Sequence, residues 1–77
     1  MGRRETIIRI IREVSKKNVN PDADESLFDS GMLDSFALPD MVSALEKEFS
    51  VTIPDSDLNP RKFDSIARID AYLESRS

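Results

Sequence analysis

The chain has 77 residues, a formal net charge of −4, and neither cysteine nor histidine. Without thiols there is no disulfide framework and no thiolate metal site, and without imidazole there is no Ser-His-Asp or Cys-His catalytic set and no usual zinc ligand. A freestanding enzyme is therefore disfavoured, and a domain this small must stand on a core worth only a few kcal/mol net.

The charge is unevenly spread. Residues 1–20 carry +4, residues 21–58 carry −9 and residues 59–77 carry +1. The acidic middle would steer basic partner surfaces toward it and repel nucleic acid. No apolar run is long enough to span a membrane and no signal-peptide h-region is present, so a cytoplasmic protein without membrane insertion is expected. Met1-Gly2-Arg3-Arg4-Glu5-Thr6 formally fits a myristoylation pattern. It is discounted because a helical stripe begins almost at once.

That stripe is Ile7, Ile10, Ile11 and Val14, at three- and four-residue spacing, and it predicts a helix from Arg3 to about Lys17. Lys16 and Lys17 would sit in its last turn, where cations suit the dipole. The basic face could be a nucleic-acid footprint, but no aromatic is interleaved for stacking, so a solvated face is the better account. Residues 18–34 form a long connection, with Asn20-Pro21 opposing a continuous helix and Leu27, Phe28 and Leu33 available to pin it to the core. Its acids do not make a calcium loop. Counting from Asp22, the sharp-turn glycine position holds Leu27 and the last-ligand position holds Leu33.

A second helix is expected from Ser35 to Phe49, with Leu38, Met41, Val42, Leu45 and Phe49 inward. Pro39 then falls at the end of its first turn, where a missing N–H matters least, and fixes the start near Asp34 or Ser35. The Ser35 hydroxyl would face unpaired backbone N–H groups and the positive end of the dipole, a good place to hold a phosphate. Val51-Thr52-Ile53, followed by Pro54, is a connector rather than a strand. Asp55–Leu58 and Asn59–Phe63 can form short turns, and Asp64 should cap a last helix to about Glu74, with Ile66, Ile69, Tyr72 and Leu73 inward. The class is all-α, a single domain over residues 1–77.

Asp-Ser before a helix is by itself a weak signal, because capping explains most such dipeptides. Here it follows a long acidic loop and opens an acidic amphipathic helix. With Leu27-Phe28, Gly31-Met32-Leu33-Asp34-Ser35-Phe36, Leu45-Glu46-Lys47-Glu48-Phe49, Ile53-Pro54 and the Ile66, Ile69, Leu73 stripe, the chain resembles the acyl carrier protein family over nearly its whole length. The resemblance implies a bundle of three longer helices plus a short one, with 4′-phosphopantetheine attached to Ser35. It also implies that Asp34 lies near the magnesium ion used by the transferase. The arm's thiol would carry an acyl or aminoacyl group as a thioester.

The implied partners are a phosphopantetheinyl transferase and either an adenylate-forming ligase or an acyltransferase or synthase, acting on a monomer. Outward-facing Phe36, Asp40, Ser43, Glu46 and Lys47 are candidates for the docking face, with ordinary surface as the alternative for each. Leu33 stands where fatty-acid carriers usually have a small residue. The motif looks more like that of D-alanyl carrier proteins and related freestanding carriers. No catalytic or metal-ligating residue is expected in the chain itself. The competing class is a small helical interaction module without a prosthetic group, in which Asp34 and Ser35 merely cap a helix.

Overall fold

A computed structural model describes residues 2–76, and among them there are helices and turns but no strand. Helix α1 spans Arg3–Ser15, α2 spans Leu38–Phe49 and α3 spans Ile66–Arg76, with a single 3-10 turn at Asp55–Asp57 between the last two. The all-α expectation is met, and the short element is this one turn. Helix α1 packs against both α2 and α3. Its buried Ile7, Ile10 and Ile11 meet Leu38, Met41, Val42 and Leu45 of α2 and Ile66, Ile69 and Leu73 of α3 in one core. Burying each such side chain is worth roughly 1.5–3 kcal/mol, so the core decides which face of every helix turns inward.

Four boundaries differ from the sequence expectation, one of them the end of α3, which runs to Arg76 rather than to about Glu74. Helix α1 stops at Ser15, and Lys16 is a left-handed C-cap at φ 58° rather than part of the last turn. The reversal is held by Arg12 Nε donating to the Val19 carbonyl (2.7 Å) and by the Lys17 N–H donating to Ser15 Oγ (3.2 Å). Helix α2 begins at Leu38, three residues later than expected. A helix running through Ser35 would need the residue-39 N–H to reach the Ser35 carbonyl, and proline has no N–H and a ring that clashes there. The first α-helical bond is instead Met41 N–H to the Ala37 carbonyl (2.9 Å).

Helix α3 is capped by Ser65, not Asp64: Ser65 Oγ accepts from the Arg68 N–H at 3.1 Å, the Ncap-to-N3 bond. Asp64 is used elsewhere. Its Oδ1 accepts from Ser26 Oγ (2.7 Å) and the Phe28 N–H (3.4 Å), and its carbonyl accepts from the Leu27 N–H (2.6 Å).

These bonds dock the long connection onto the start of α3. The Ala67 N–H, one of the orphan donors of that helix end, reaches the Ala23 carbonyl at 2.9 Å. Leu27 and Leu33 are buried below, with Phe28 packed at the edge. Phe63, assigned only to a short turn by sequence, is completely buried and stacks edge-on against Tyr72 at 5.1 Å. Tyr72 is half-buried rather than fully inward, because its hydroxyl must reach Asp57 Oδ2 (2.6 Å).

Ion pairs tie the helices at the rim. Arg3 and Arg4 both hold Asp70, joining the start of α1 to α3, and Arg9 bridges Glu13 and Glu48. The Arg3 guanidinium, aided by Arg4, holds the Asp70 carboxyl below the usual carboxylate range. The Lys62 ammonium and then the Tyr72 hydroxyl do the same for Asp57.

Candidate functional site

The connection rises from the core through Gly31 and ends in the turn that carries Asp34 and Ser35. Gly31 sits at φ 83°, a left-handed conformation that costs other residues about 1–2 kcal/mol. Its N–H donates to the Phe28 carbonyl (3.2 Å), and the Leu33 N–H returns to the Leu27 carbonyl (2.9 Å). Leu33 is thereby driven into the core while Asp34, Ser35 and Phe36 are all left exposed.

Asp34 closes the turn. The Ala37 N–H is shared between the Asp34 carbonyl and Asp34 Oδ1, both at 3.0 Å. Ala37, with no capping side chain, is the N-cap of α2. Ser35 therefore stands ahead of the helix rather than at its cap, because Pro39 at the second helical position holds the start downstream. Among the described residues its hydroxyl has no hydrogen-bond partner. The oxygen is free and presented to solvent.

Beside it lies an open groove of about 380 Å³, walled by the end of α1, the Gly31–Asp34 turn and the first turn of α2. Asp34 and Phe36, the two neighbours of Ser35, both line it. So do Lys16 and Lys17, expected from the sequence in the last turn of α1 with no role at the site. The left-handed reversal after Ser15 brings those lysines to the groove wall, where Lys17 Nζ lies 3.4 Å from the Gly31 carbonyl; Ser35 itself is not part of that wall.

Of the other candidate residues, Phe36 is 88% exposed and is the only large apolar side chain left exposed among the described residues. Phe36, Asp40, Ser43 and Lys47 are all exposed; spacings of three and four put Asp40, Ser43 and Lys47 along one side of α2, and Phe36 lies on the turn just ahead of it. Glu46 does not belong with them. It is half-buried, and its Oε2 accepts from the Ile53 N–H at 2.8 Å, pinning the connector after α2. The expectation that Glu46 faces freely outward is corrected: one backbone N–H of the connector needed an acceptor there.

No cluster of three or more metal-ligating side chains occurs among the described residues. No described helix is long and apolar enough to cross a membrane.

The family model described as a phosphopantetheine attachment site matches residues 5–72. The chain belongs to that family. Among its relatives is the D-alanyl carrier protein of Lactobacillus acidophilus, 28% identical over 75 residues that cover 97% of this chain and 95% of that protein. The D-alanyl carrier protein of Streptococcus suis strain 05ZYH33 is 35% identical over 69 residues, 90% of this chain and 87% of the relative. That of Streptococcus pyogenes serotype M5 is 29% identical over 69 residues, with the same coverage of 90% and 87%.

The molecule is thus a carrier protein that bears an acyl or aminoacyl group on a covalently attached 4′-phosphopantetheine arm. Such a carrier implies partner enzymes of the transferase and ligase kinds. The site fits the group. It offers an unengaged, exposed hydroxyl at Ser35, next in sequence to two residues of a groove that Lys16, Lys17, Met32 and Val14 also line.

Proposed function

We propose that Ser35 is the attachment residue, within one carrier domain formed by residues 1–77 that acts in the cytoplasm without catalysing a reaction of its own. The observation that carries this is the free hydroxyl of Ser35. It is exposed, on a turn ordered by Asp34, Gly31 and Leu33, and it spends no hydrogen bond on the fold. Attachment forms a bond from Ser35 Oγ to the phosphorus of the pantetheine phosphate and breaks the pyrophosphate bond of coenzyme A. The nucleotide leaves and the serine proton passes to the transferase. The chain has no histidine to take it.

Asp34 orders the turn through one carboxylate oxygen, and by the family resemblance its carboxylate would lie near the magnesium ion that the transferase uses. Once attached, the arm supplies the thiol that the sequence lacks, on which cargo rides as a thioester. Tethering raises the cargo's effective concentration at each docked enzyme. Phe36, Asp40, Ser43 and Lys47 form the docking stripe, with Phe36 as its apolar anchor.

For the cargo we infer an aminoacyl group of the D-alanyl type, delivered by a separate adenylate-forming ligase. Support comes from relatives named D-alanyl carrier proteins that span nearly the whole chain, and from the Gly31-Met32-Leu33-Asp34-Ser35 motif.

Incubation with coenzyme A, magnesium and a broad-specificity transferase tests the first step by intact mass. The wild-type protein should gain one phosphopantetheine, and Ser35→Ala, still folded, should gain none. Equal gain in both proteins would remove Ser35 from the role. Offering the loaded carrier to candidate ligases with D-alanine, L-alanine, glycine and fatty acids then tests the cargo. A thioester formed with D-alanine alone is expected, and preferential fatty acylation would refute the assignment.

A further inference from the structure

We propose that the groove between the end of α1 and the start of α2 is a resting site for the arm itself. In it Lys16 and Lys17 take the phosphodiester, and Val14, Met32 and Phe36 take the methyl-bearing part of the pantetheine. The inference rests on Ser35 being the attachment point.

Attachment creates a charge problem. A phosphodiester on Ser35 adds a negative charge next to Asp34, within the segment of residues 21–58 that already carries −9. The helix end gives less relief than a cap position would. Helix α2 starts three residues downstream, Pro39 has no N–H to offer, and the Ala37 N–H is already shared by two Asp34 oxygens. The only cation within that segment is Lys47, in the last turn of α2.

Two cations from outside the segment stand in the adjoining groove, which the neighbours of Ser35 line although Ser35 itself does not. Lys16, in its left-handed cap conformation, and Lys17 line the groove that Asp34 and Phe36 also line. Neither ammonium is committed. Lys16 has no side-chain partner among the described residues, and Lys17 Nζ reaches only the Gly31 carbonyl at 3.4 Å, longer than an ordinary hydrogen bond. Asp34 and Asp40 also line the groove, so without these lysines the arm would enter a purely anionic site.

The apolar side chains suit the rest of the ligand, an amide-linked chain with a geminal dimethyl group. An arm resting here would be lifted out when the α2 face docks on a partner, since Phe36 and Asp40 belong to both surfaces.

The test uses the full chain in two forms, unloaded and loaded, with intact mass recorded first. Amide and methyl NMR spectra of both are then compared at low salt and at about 1 M salt, where the Debye length is roughly 3 Å. The expected result is shift changes at Val14, Lys16, Lys17 and Met32 in addition to residues 34–37. Nuclear Overhauser contacts should run from the pantetheine methyls to Met32 or Val14. The changes at residues 14–17 should fall severalfold in high salt and in the double variant Lys16→Gln, Lys17→Gln, with the mass gain unaltered.

A mass gain with shifts confined to residues 34–37 and no such contacts would overturn the groove while leaving the carrier assignment intact. Contacts that persist unchanged in the double variant and in high salt would overturn the role of the lysines. Absence of any mass gain would overturn the Ser35 assignment, and the resting site with it. Both lysines are exposed, and the wild-type contacts decide the matter without the variant.

Discussion

Two Asp-Ser dipeptides, Asp34-Ser35 and Asp64-Ser65, each stand just before a helix, and the fold uses them in opposite ways. Ser65 is only 5% exposed and its Oγ is spent on the Arg68 N–H, while Asp64 is spent on Ser26 and Phe28. Ser35 and Asp34 are exposed, and the serine is bonded to nothing in the fold. The cause is the stretch of chain immediately after each serine. Ile66-Ala67-Arg68 continues directly as a helix, so Ser65 is its cap, whereas Pro39 prevents α2 from reaching back to Ser35. A serine that caps is consumed by the structure; one kept short of the cap is left for chemistry.

The contrast can be broken at its acids first. Asp64→Ala leaves a part-buried Ser26 hydroxyl and the Phe28 N–H without their acceptor. It should cost about 1–3 kcal/mol, measured by thermal melting, and should speed amide exchange across residues 23–30. Asp34→Ala, on an exposed turn, should cost less than about 1 kcal/mol. An equal cost for the two would mean that the Asp34 turn is as structural as the Asp64 clasp.

The serines come next. Ser65→Ala should destabilise by about 1 kcal/mol, as loss of an N-cap does, and should still accept the arm. Ser35→Ala should stay within about 0.5 kcal/mol of the wild type. The pair thus separates stability from loading in opposite directions.

Pro39→Ala sharpens the comparison from the other side. With an N–H restored at position 39, α2 can extend toward Ser35 and make it resemble Ser65. A small gain in far-ultraviolet helical signal and slower loading are expected. Unchanged loading despite the longer helix would show that Pro39 does not keep the serine free.

The smallest effect concerns pH. Asp57 and Asp70 are both held below the ordinary carboxylate range, by Lys62 with Tyr72 and by Arg3 with Arg4. Their contribution is fully present above about pH 4, where the unfolded carboxylates are ionised. It is lost as pH falls through their lowered folded values. Melting temperature should therefore decline below about pH 4, and Asp70→Asn should flatten that decline. An unchanged acid limb in the variant would mean that the Arg3 and Arg4 pairs contribute nothing in solution.

Much of the fold was legible from residue spacing. The stripes Ile7, Ile10, Ile11 and Met41, Val42, Leu45 are buried as their helical period requires, and Leu27 and Leu33 pin the long connection. Helix ends were legible only approximately, because they are set by contacts remote in sequence. Ser65 rather than Asp64 became the cap because Ser26 and the Phe28 N–H, more than thirty residues earlier, claim the Asp64 carboxylate. Glu46 looked like surface because the Ile53 N–H that it serves lies past the helix, in a connector of no regular pattern. Lys16 and Lys17 looked like helix-end charge because nothing local showed that the chain would reverse at Lys16 and bring them to the Gly31–Asp34 turn. The site's motif was visible in one stretch of chain, and its surroundings were assembled by the fold.

The most direct measurement is to load the wild-type protein with phosphopantetheine, digest it, and locate the modification by tandem mass spectrometry. Asp-Ser occurs four times, at Ser30, Ser35, Ser56 and Ser65, so the chain contains its own controls. The arm should be found on Ser35 and on none of the other three. An arm on Ser30, Ser56 or Ser65 would contradict the assignment.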